Sequence, residues 1–201
     1  MIRMERVVLD FLGVNSYIIW DEETKRALIL DPGSSAQRIL DAVTRLGVQP
    51  EAVLLTHAHV DHIGRVPEIC QAYDIPVWLH ADEQPIYLSQ ENHLKPWAGP
   101  VEGLPMPLQG ACPTAGMNIQ PIHTPGHTPG GCCYYLPEQG WLFSGDTMFR
   151  GTYGRTDFPG GSHRALMASI REKLLKLPPE TRVFPGHEGE TTIADEAGLY
   201  C

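Results

Sequence analysis

Directly after an apolar run at residues 52–55, the chain reads Thr56-His57-Ala58-His59-Val60-Asp61-His62, placing four side chains able to bind a metal within six residues. A strand that is apolar on both faces belongs inside a sheet, so this polar segment is expected at a strand end, on a rigid support. In extended backbone, alternate side chains share a side, so His57 and His59 point together. Once the chain turns, Asp61 and His62 reach a second point nearby. Imidazole and carboxylate donors suit zinc, iron or manganese. With only 9 His in 201 residues, a chance cluster of three beside an Asp in a solvated loop is the poorer explanation.

Three other positions share this chemistry and context. His127 lies in His123-Thr124-Pro125-Gly126-His127-Thr128-Pro129-Gly130, Asp146 in Ser144-Gly145-Asp146-Thr147, and His187 in Phe184-Pro185-Gly186-His187. Each follows an apolar, strand-like run and sits in a loop stiffened by Gly or Pro. Singly, each reads as a turn or a solvated histidine, and it is their occurrence with the first cluster that gives them weight.

The remaining pattern mixes strands and helices, an α/β or α+β chain. Strands are predicted at 6–9, 16–20, 27–30, 52–55, 76–79, 118–122, 132–136, 141–143 and 182–184. Helical spacing of Ala36, Ile39, Leu40, Val43 and Leu46 predicts a helix over 36–46, capped by Ser34 or Ser35 and ended by Gly47. Helices are also predicted over 66–73 and 81–89, and over 163–177 with Ser162 as cap and Pro178-Pro179 as stop. Residues 91–116 carry Gly and Pro without a period and read as a long surface loop, a candidate active-site cover. Length and the lack of a linker point to one domain over 1–201.

Charge narrows the function classes. Fifteen Lys+Arg against 24 Asp+Glu give −9, and no basic run is present, so nucleic acid is not an expected partner. No apolar run approaches the ~18 residues of a membrane span. The charged start MIRMERVVLD does not read as a signal peptide, and the five cysteines show no CxxC spacing, so reduced thiols in the cytoplasm are expected. Cys132 and Cys133 read as one core and one surface thiol of a strand. No Gly-x-Ser-x-Gly elbow occurs.

His57, His59, Asp61 and His62, followed by His127, Asp146 and His187, resemble the H-x-H-x-D-H signature and the downstream ligands of the metallo-β-lactamase superfamily. The resemblance spans nearly the whole chain. It implies a four-layer αββα sandwich with two divalent metal ions at one edge, zinc first and iron or manganese as alternatives. His57, His59 and His127 would hold one ion, Asp61, His62 and His187 the other, and Asp146 would bridge them. The segment 123–130, with Gly145-Asp146-Thr147 and Gly154-Arg155-Thr156-Asp157-Phe158, resembles glyoxalase II-like hydroxyacylglutathione hydrolases, in a short form without their C-terminal helical domain. His187-Glu188-Gly189 departs from the His-Gly-Pro of that family. The implied activity is metal-dependent cleavage of a small-molecule thioester, such as the glutathione conjugate S-lactoylglutathione, by a metal-bound hydroxide, with Asp61 both a ligand and the residue orienting the nucleophile.

A mononuclear Fe(II) persulfide dioxygenase of the same fold is the alternative, with His57, His127 and Asp146 as its facial triad. A non-catalytic metal-binding protein is a third reading, disfavoured by seven donors at an open, loop-lined edge. Lactonase or β-lactamase chemistry is compatible with the metal residues alone. Arg150, Tyr153 and Arg155 follow Asp146 closely and are candidate substrate-binding residues, since Arg pairs bidentately with carboxylates. The alternative readings are an internal pair of Arg155 with Asp157 and a packing role for Tyr153. Asp31, before Pro32-Gly33, reads first as a turn former and second as a partner of a ligating His. His80, His93, His123 and His163 read as structural or solvated.

Overall fold

Alternation along the strands sorts the apolar side chains into separate layers. In the computed structural model, which describes residues 1–200, β1 (Ile2–Val8), β2 (Asn15–Asp21), β3 (Arg26–Leu30), β4 (Gln49–Leu54) and β5 (Val77–Trp78) form one five-stranded sheet in that order. Pairs β1–β2 and β2–β3 are antiparallel, while β3–β4 and β4–β5 are parallel. Ile18, Ile29 and Val53 point to one face, where they meet Ile39 and Val43 of α1 (Ala36–Leu46) and Ile69 of α3 (Val66–Tyr73). Ile19, Leu28, Leu30 and Leu54 point to the other.

That second face packs on a second sheet, ordered β12-β11-β8-β7-β6, of β6 (Gln120–His123), β7 (Cys132–Leu136), β8 (Trp141–Gly145), β11 (Arg182–Pro185) and β12 (Thr191–Thr192). Cys132, Tyr134, Phe143 and Phe184 fill the layer between the sheets. Cys133, Tyr135, Leu142 and Val183 face outward onto Leu166 and Ile170 of α5 (His163–Glu172). Helix, sheet, sheet and helix are therefore stacked as the four-layer αββα arrangement expected from the sequence. Both faces of the second sheet are covered, so Cys132 and Cys133 are both buried, which corrects the expectation of one surface thiol.

Helices 36–46 and 66–73 stand where the periodicity predicts them. Ser35 does not cap α1: it lies in the left-handed region with no capping bond, while the Ser34 hydroxyl accepts from Phe11 N. Ser162 does cap α5, accepting from Ala165 N. The segment expected as a helix over 81–89 is a 3₁₀ turn, Ala81–Glu83, followed by one turn, α4 (Gln84–Tyr87). The last predicted helix changes to 3₁₀ geometry at Leu174–Lys176. Short elements complete the fold: α2 (Val60–Ile63), the hairpin of β9 (Met148–Phe149) with β10 (Thr152–Tyr153), and α6 (Ile193–Glu196).

At one edge the sheets are tied by hydrogen bonds as well as by packing. Cys132 N donates to Thr56 O at 2.8 Å, Tyr134 Oη to Leu55 O at 2.6 Å, Tyr17 Oη to Pro185 O at 2.7 Å and Asn15 N to Gly186 O at 2.8 Å. The strand ends leading to residues 56, 124, 145 and 186 are thereby fixed relative to one another.

Phe143 is fully enclosed between the sheets, so Phe143→Ala is expected to cost about 3–5 kcal/mol. The midpoint of urea unfolding checks this, and a loss under about 1 kcal/mol would mean the inter-sheet layer is not packed as described.

Candidate metal centre

All seven donors lie at this tied edge, five on loops and two, Asp61 and His62, in the one-turn helix α2. Thr56 to His62 follow β4, His127 lies in the turn between β6 and β7, Asp146 follows β8, and His187 follows β11. Two glycines explain how the loops approach so closely. Gly145 has φ +49°, and a Cβ there would lie 2.4 Å from Thr56 Oγ1. A Cβ on Gly186 would meet Asp146 Oδ1 at 2.4 Å and His62 Cε1 at 2.7 Å.

The structure brings the donors together in overlapping groups. The ligand atoms of His57, His59 and His127 lie within 4.8 Å of one another, as do those of Asp61, His62 and His187, and those of His57, His62 and Asp146. His127 Nε2 is 3.0 Å from His59 Nδ1 and 3.3 Å from His57 Nε2. Asp146 stands between the groups: Oδ1 is 3.4 Å from His62 Nε2, and Oδ2 is 3.6 Å from His127 Nε2 and 3.5 Å from His187 Nε2. Asp61 Oδ2 is 3.4 Å from His187 Nε2.

Backbone and carboxylate partners orient the rings from behind. His127 Nδ1 donates to Arg155 O at 2.7 Å and His187 Nδ1 to Leu12 O at 3.2 Å, leaving both Nε2 atoms aimed at the cluster. His62 Nδ1 bonds Asp31 Oδ2 at 3.0 Å. Buried Asp31 also accepts from Thr56 N at 2.8 Å and from the Thr56 hydroxyl at 2.7 Å. Of its two sequence readings, the structure supports the histidine partner.

Burial holds His57 well below its ordinary pKa and His59 down to about 3, with neighbouring imidazoles adding to the effect. For His62 burial works the same way, but the Asp146 and Asp61 charges outweigh it and raise the ring well above 6.5. His187 also resists burial, lifted to about 10 by the Asp146 charge and by hydrogen bonds to Asp146 and Asp61. Burial alone would raise Asp146; the facing His62 and His187 hold it well below the usual carboxylate range.

The donor set fits divalent metal ions. Asp61 Oδ1 and Asp146 Oδ1 are buried with no hydrogen-bond partner, a costly state for carboxylates unless a cation sits beside them. The neutral imidazoles of His57 and His59 turn lone pairs into the same small space. A fourth trio, His80, Asp82 and His123, shares no donor with these groups; its imidazoles stack in parallel at 3.8 Å, and His123 Nε2 is bonded to Pro129 O.

A cavity of about 250 Å³ opens onto the cluster, lined by His59, Asp61, His127, Asp146 and His187 together with Leu12, Leu94, Trp97, Arg155 and Phe158. Of the three candidate substrate residues, only Arg155 is here, and it pairs with Asp157 through contacts of 2.7 and 2.6 Å. Arg150 lines another cavity, beside Arg6 and Glu190, and Tyr153 a third, where its hydroxyl meets His163 Nε2 at 3.3 Å. Leu94 and Trp97 belong to the long 91–116 loop, which reaches the site as that reading expected.

Sequence reasoning missed Glu83. Its buried carboxylate accepts from Ala58 N and Gly130 N, both at 2.8 Å, so one side chain joins the His57–His59 loop to the loop carrying His127. Burial lifts it to about 7 despite those bonds. Nothing in the spacing around Ala81-Asp82-Glu83 signals this.

Such a sandwich, with histidines and carboxylates gathered at one edge, defines a metal-binding scaffold. The sequence model described as the metallo-beta-lactamase superfamily matches residues 9–187, and the chain belongs to that superfamily. It is 36% identical over 200 residues to the "Probable metallo-hydrolase YqgX" of Bacillus subtilis, covering 96% of this chain and 94% of that one. It is 34% identical over 194 residues to "Hydroxyacylglutathione hydrolase GloC" of Haemophilus influenzae, covering 90% and 89%. Among solved structures, the BLEG-1 B3 metallo-β-lactamase superposes with a TM-score of 0.86 at 34% identity, covering 98% and 97%. TTHA1623 in a di-iron-bound form gives 0.83 at 41%, covering 96% of each chain. ETHE1 from Myxococcus xanthus gives 0.77 at 26%, covering 96% and 81%. The chain is accordingly an enzyme of the metallo-hydrolase kind.

Two outcomes check this centre. Adding Zn(II) or Fe(II) at about a thousand times its dissociation constant should stabilise the metal-free protein by roughly 4 kcal/mol, read as a rise in Tm. Asp31→Ala, which frees His62 Nδ1, should weaken metal affinity about 10–100-fold in a competition titration; unchanged affinity would show that Asp31 does not orient a ligand.

Proposed function

We propose that this chain is a hydrolase of thioesters, with S-lactoylglutathione as the reference substrate, using two divalent metal ions at the edge cluster. The observation that carries the reading is the position of Asp146, whose two oxygens lie within 3.4–3.6 Å of His62, His127 and His187 and so face both ligand groups. His57, His59 and His127 would hold one ion, Asp61, His62 and His187 the other, with Asp146 shared. The kinship with a hydroxyacylglutathione hydrolase supports the thioester.

When bound, the ions supply Lewis acidity toward the carbonyl oxygen and lower the pKa of water toward neutrality. The chain's own groups do the rest. Asp61 Oδ1, buried without a donor, is available to accept a hydrogen bond from an attacking water and aim it at the carbonyl carbon. The C–O bond forms, the C–S bond breaks, and the thiol half leaves as a thiolate, a good enough leaving group to need no general acid. The proton lost by water passes to solvent at the open mouth. No thiol of the chain competes as nucleophile among the described residues: none lines this cavity, and burial pushes Cys70 and Cys112 up to about 12 and Cys133 to about 11.

The structural kinship with ETHE1 favours one second reading, oxidation of a persulfide at a single Fe(II) held by His57, His127 and Asp146. Purified protein assayed for S-lactoylglutathione cleavage beside glutathione-persulfide-dependent oxygen uptake separates the two. The expected result is thiol release with two metal equivalents; oxygen uptake with one iron and no thiol release would overturn it. Asp61→Ala should lower kcat at least about 100-fold with the fold intact by circular dichroism, and an undiminished rate would remove Asp61 from the mechanism.

A further inference from the structure

The cavity at the cluster has apolar walls that the metal chemistry does not require. Leu12 and Trp97 are large apolar residues left 54% and 66% exposed, and both line this one cavity, with Leu94 and Phe158 beside them. These groups are held in place. The Leu12 carbonyl accepts from His187 Nδ1. Trp97 stands on a tight turn in which Trp97 N donates to Leu94 O at 2.8 Å and Leu94 N to Ala98 O at 3.1 Å. Buried Asn92 anchors that turn, donating to Tyr87 O and Ser89 O and accepting from Val101 N. Phe158 lies edge-on to the His59 ring at 5.2 Å and under the Arg155 guanidinium at 4.0 Å.

Charge points the same way. Trp97 also borders a larger neighbouring cavity of about 520 Å³. Among the described residues lining the two cavities, the guanidinium and ammonium groups are those of Arg155 and Arg65, and each is paired, Arg155 with Asp157 and Arg65 with Glu68 at 2.7 Å. Glu68 and Glu102 add carboxylates to the larger cavity. A glutathione arm would bring two carboxylates and one ammonium to surroundings whose side-chain guanidinium groups are both already paired, apart from the metal centre itself.

We infer that the preferred substrate has an uncharged, apolar thiol half, which packs against Leu12, Leu94, Trp97 and Phe158 while the carbonyl faces the metal centre. The inference rests on the thioester hydrolase reading and places the preferred thiol half among neutral thiols rather than the charged glutathione of the reference substrate. Trp97 is the specificity-determining residue, because it offers the largest apolar surface and borders both cavities. A neutral group gains from leaving water at this wall, whereas a carboxylate there loses hydration without gaining a partner.

The test compares two thioacetates of similar thiol basicity, one of 2-phenylethanethiol and one of 3-mercaptopropionate, on metal-loaded protein, with rates normalised to alkaline hydrolysis. The neutral compound is expected to have the higher kcat/KM by about tenfold or more, and Trp97→Ala to collapse that ratio by about tenfold, mainly through KM. Trp97→Phe should retain most of the ratio. As a readout independent of turnover, a non-hydrolysable phenylethyl thioether should quench tryptophan fluorescence of the wild-type protein and not of Trp97→Ala. Preference for the anionic compound, or a ratio unchanged in Trp97→Ala, would overturn the inference while leaving the hydrolase reading intact. Cleavage of neither compound, nor of S-lactoylglutathione, would overturn both.

Discussion

The carboxylate of Asp146 is the group around which the site is organised. It lies just past the end of a central strand of the second sheet, and its oxygens come within 3.4–3.6 Å of imidazoles from α2 and from two loops. So many titratable groups cannot share a buried space unless their charges are balanced. Part of the balance is internal, with His62 and His187 facing Asp61 and Asp146. The rest is left open at Asp61 Oδ1 and Asp146 Oδ1, neither of which accepts a hydrogen bond and the second of which has only the 3.4 Å ion-pair contact with His62, and cations fit there. The hydrogen bonds between the two sheets follow from the same demand, since strand ends that drifted apart by an ångström would no longer present their donors to one point.

Much of this was legible because metal ligation needs particular residue types and a rigid support. His57, His59, Asp61 and His62 crowd into six residues, and His127, Asp146 and His187 each follow an apolar run, so loops at one sheet edge could be read from the sequence. Helices α1 and α3 were legible from their 3.6-residue spacing. The start of β4 was not, because Gln49 is polar and Pro50 lacks a donor, so both take strand geometry through pairing with β3, while Glu51 is the unpaired residue at which the register shifts. Two-residue strands such as β9, β10 and β12 have no period to detect. Ser35 looked like a helix cap by composition, yet its backbone is left-handed and its hydroxyl faces Asp10 instead.

The substrate side was harder to read, for a physical reason. Proximity in sequence to Asp146 does not survive the β9–β10 hairpin, which carries Arg150 toward Arg6 and Glu190, and Tyr153 toward His163. Trp97 and Leu94 reach the cavity from a segment without periodicity, so only the folded loop places them. Glu83 is equally invisible: an acidic residue in a polar stretch is ordinarily solvated, and here two backbone N–H groups from separate loops converge on it.

Anomalous diffraction from crystals of the metal-loaded protein tests the central claim most directly. The account expects two anomalous peaks at the tied edge, one among His57, His59 and His127, the other among Asp61, His62 and His187, with Asp146 in contact with both. A single peak under saturating metal, or peaks placed elsewhere such as at His80, Asp82 and His123, would contradict it.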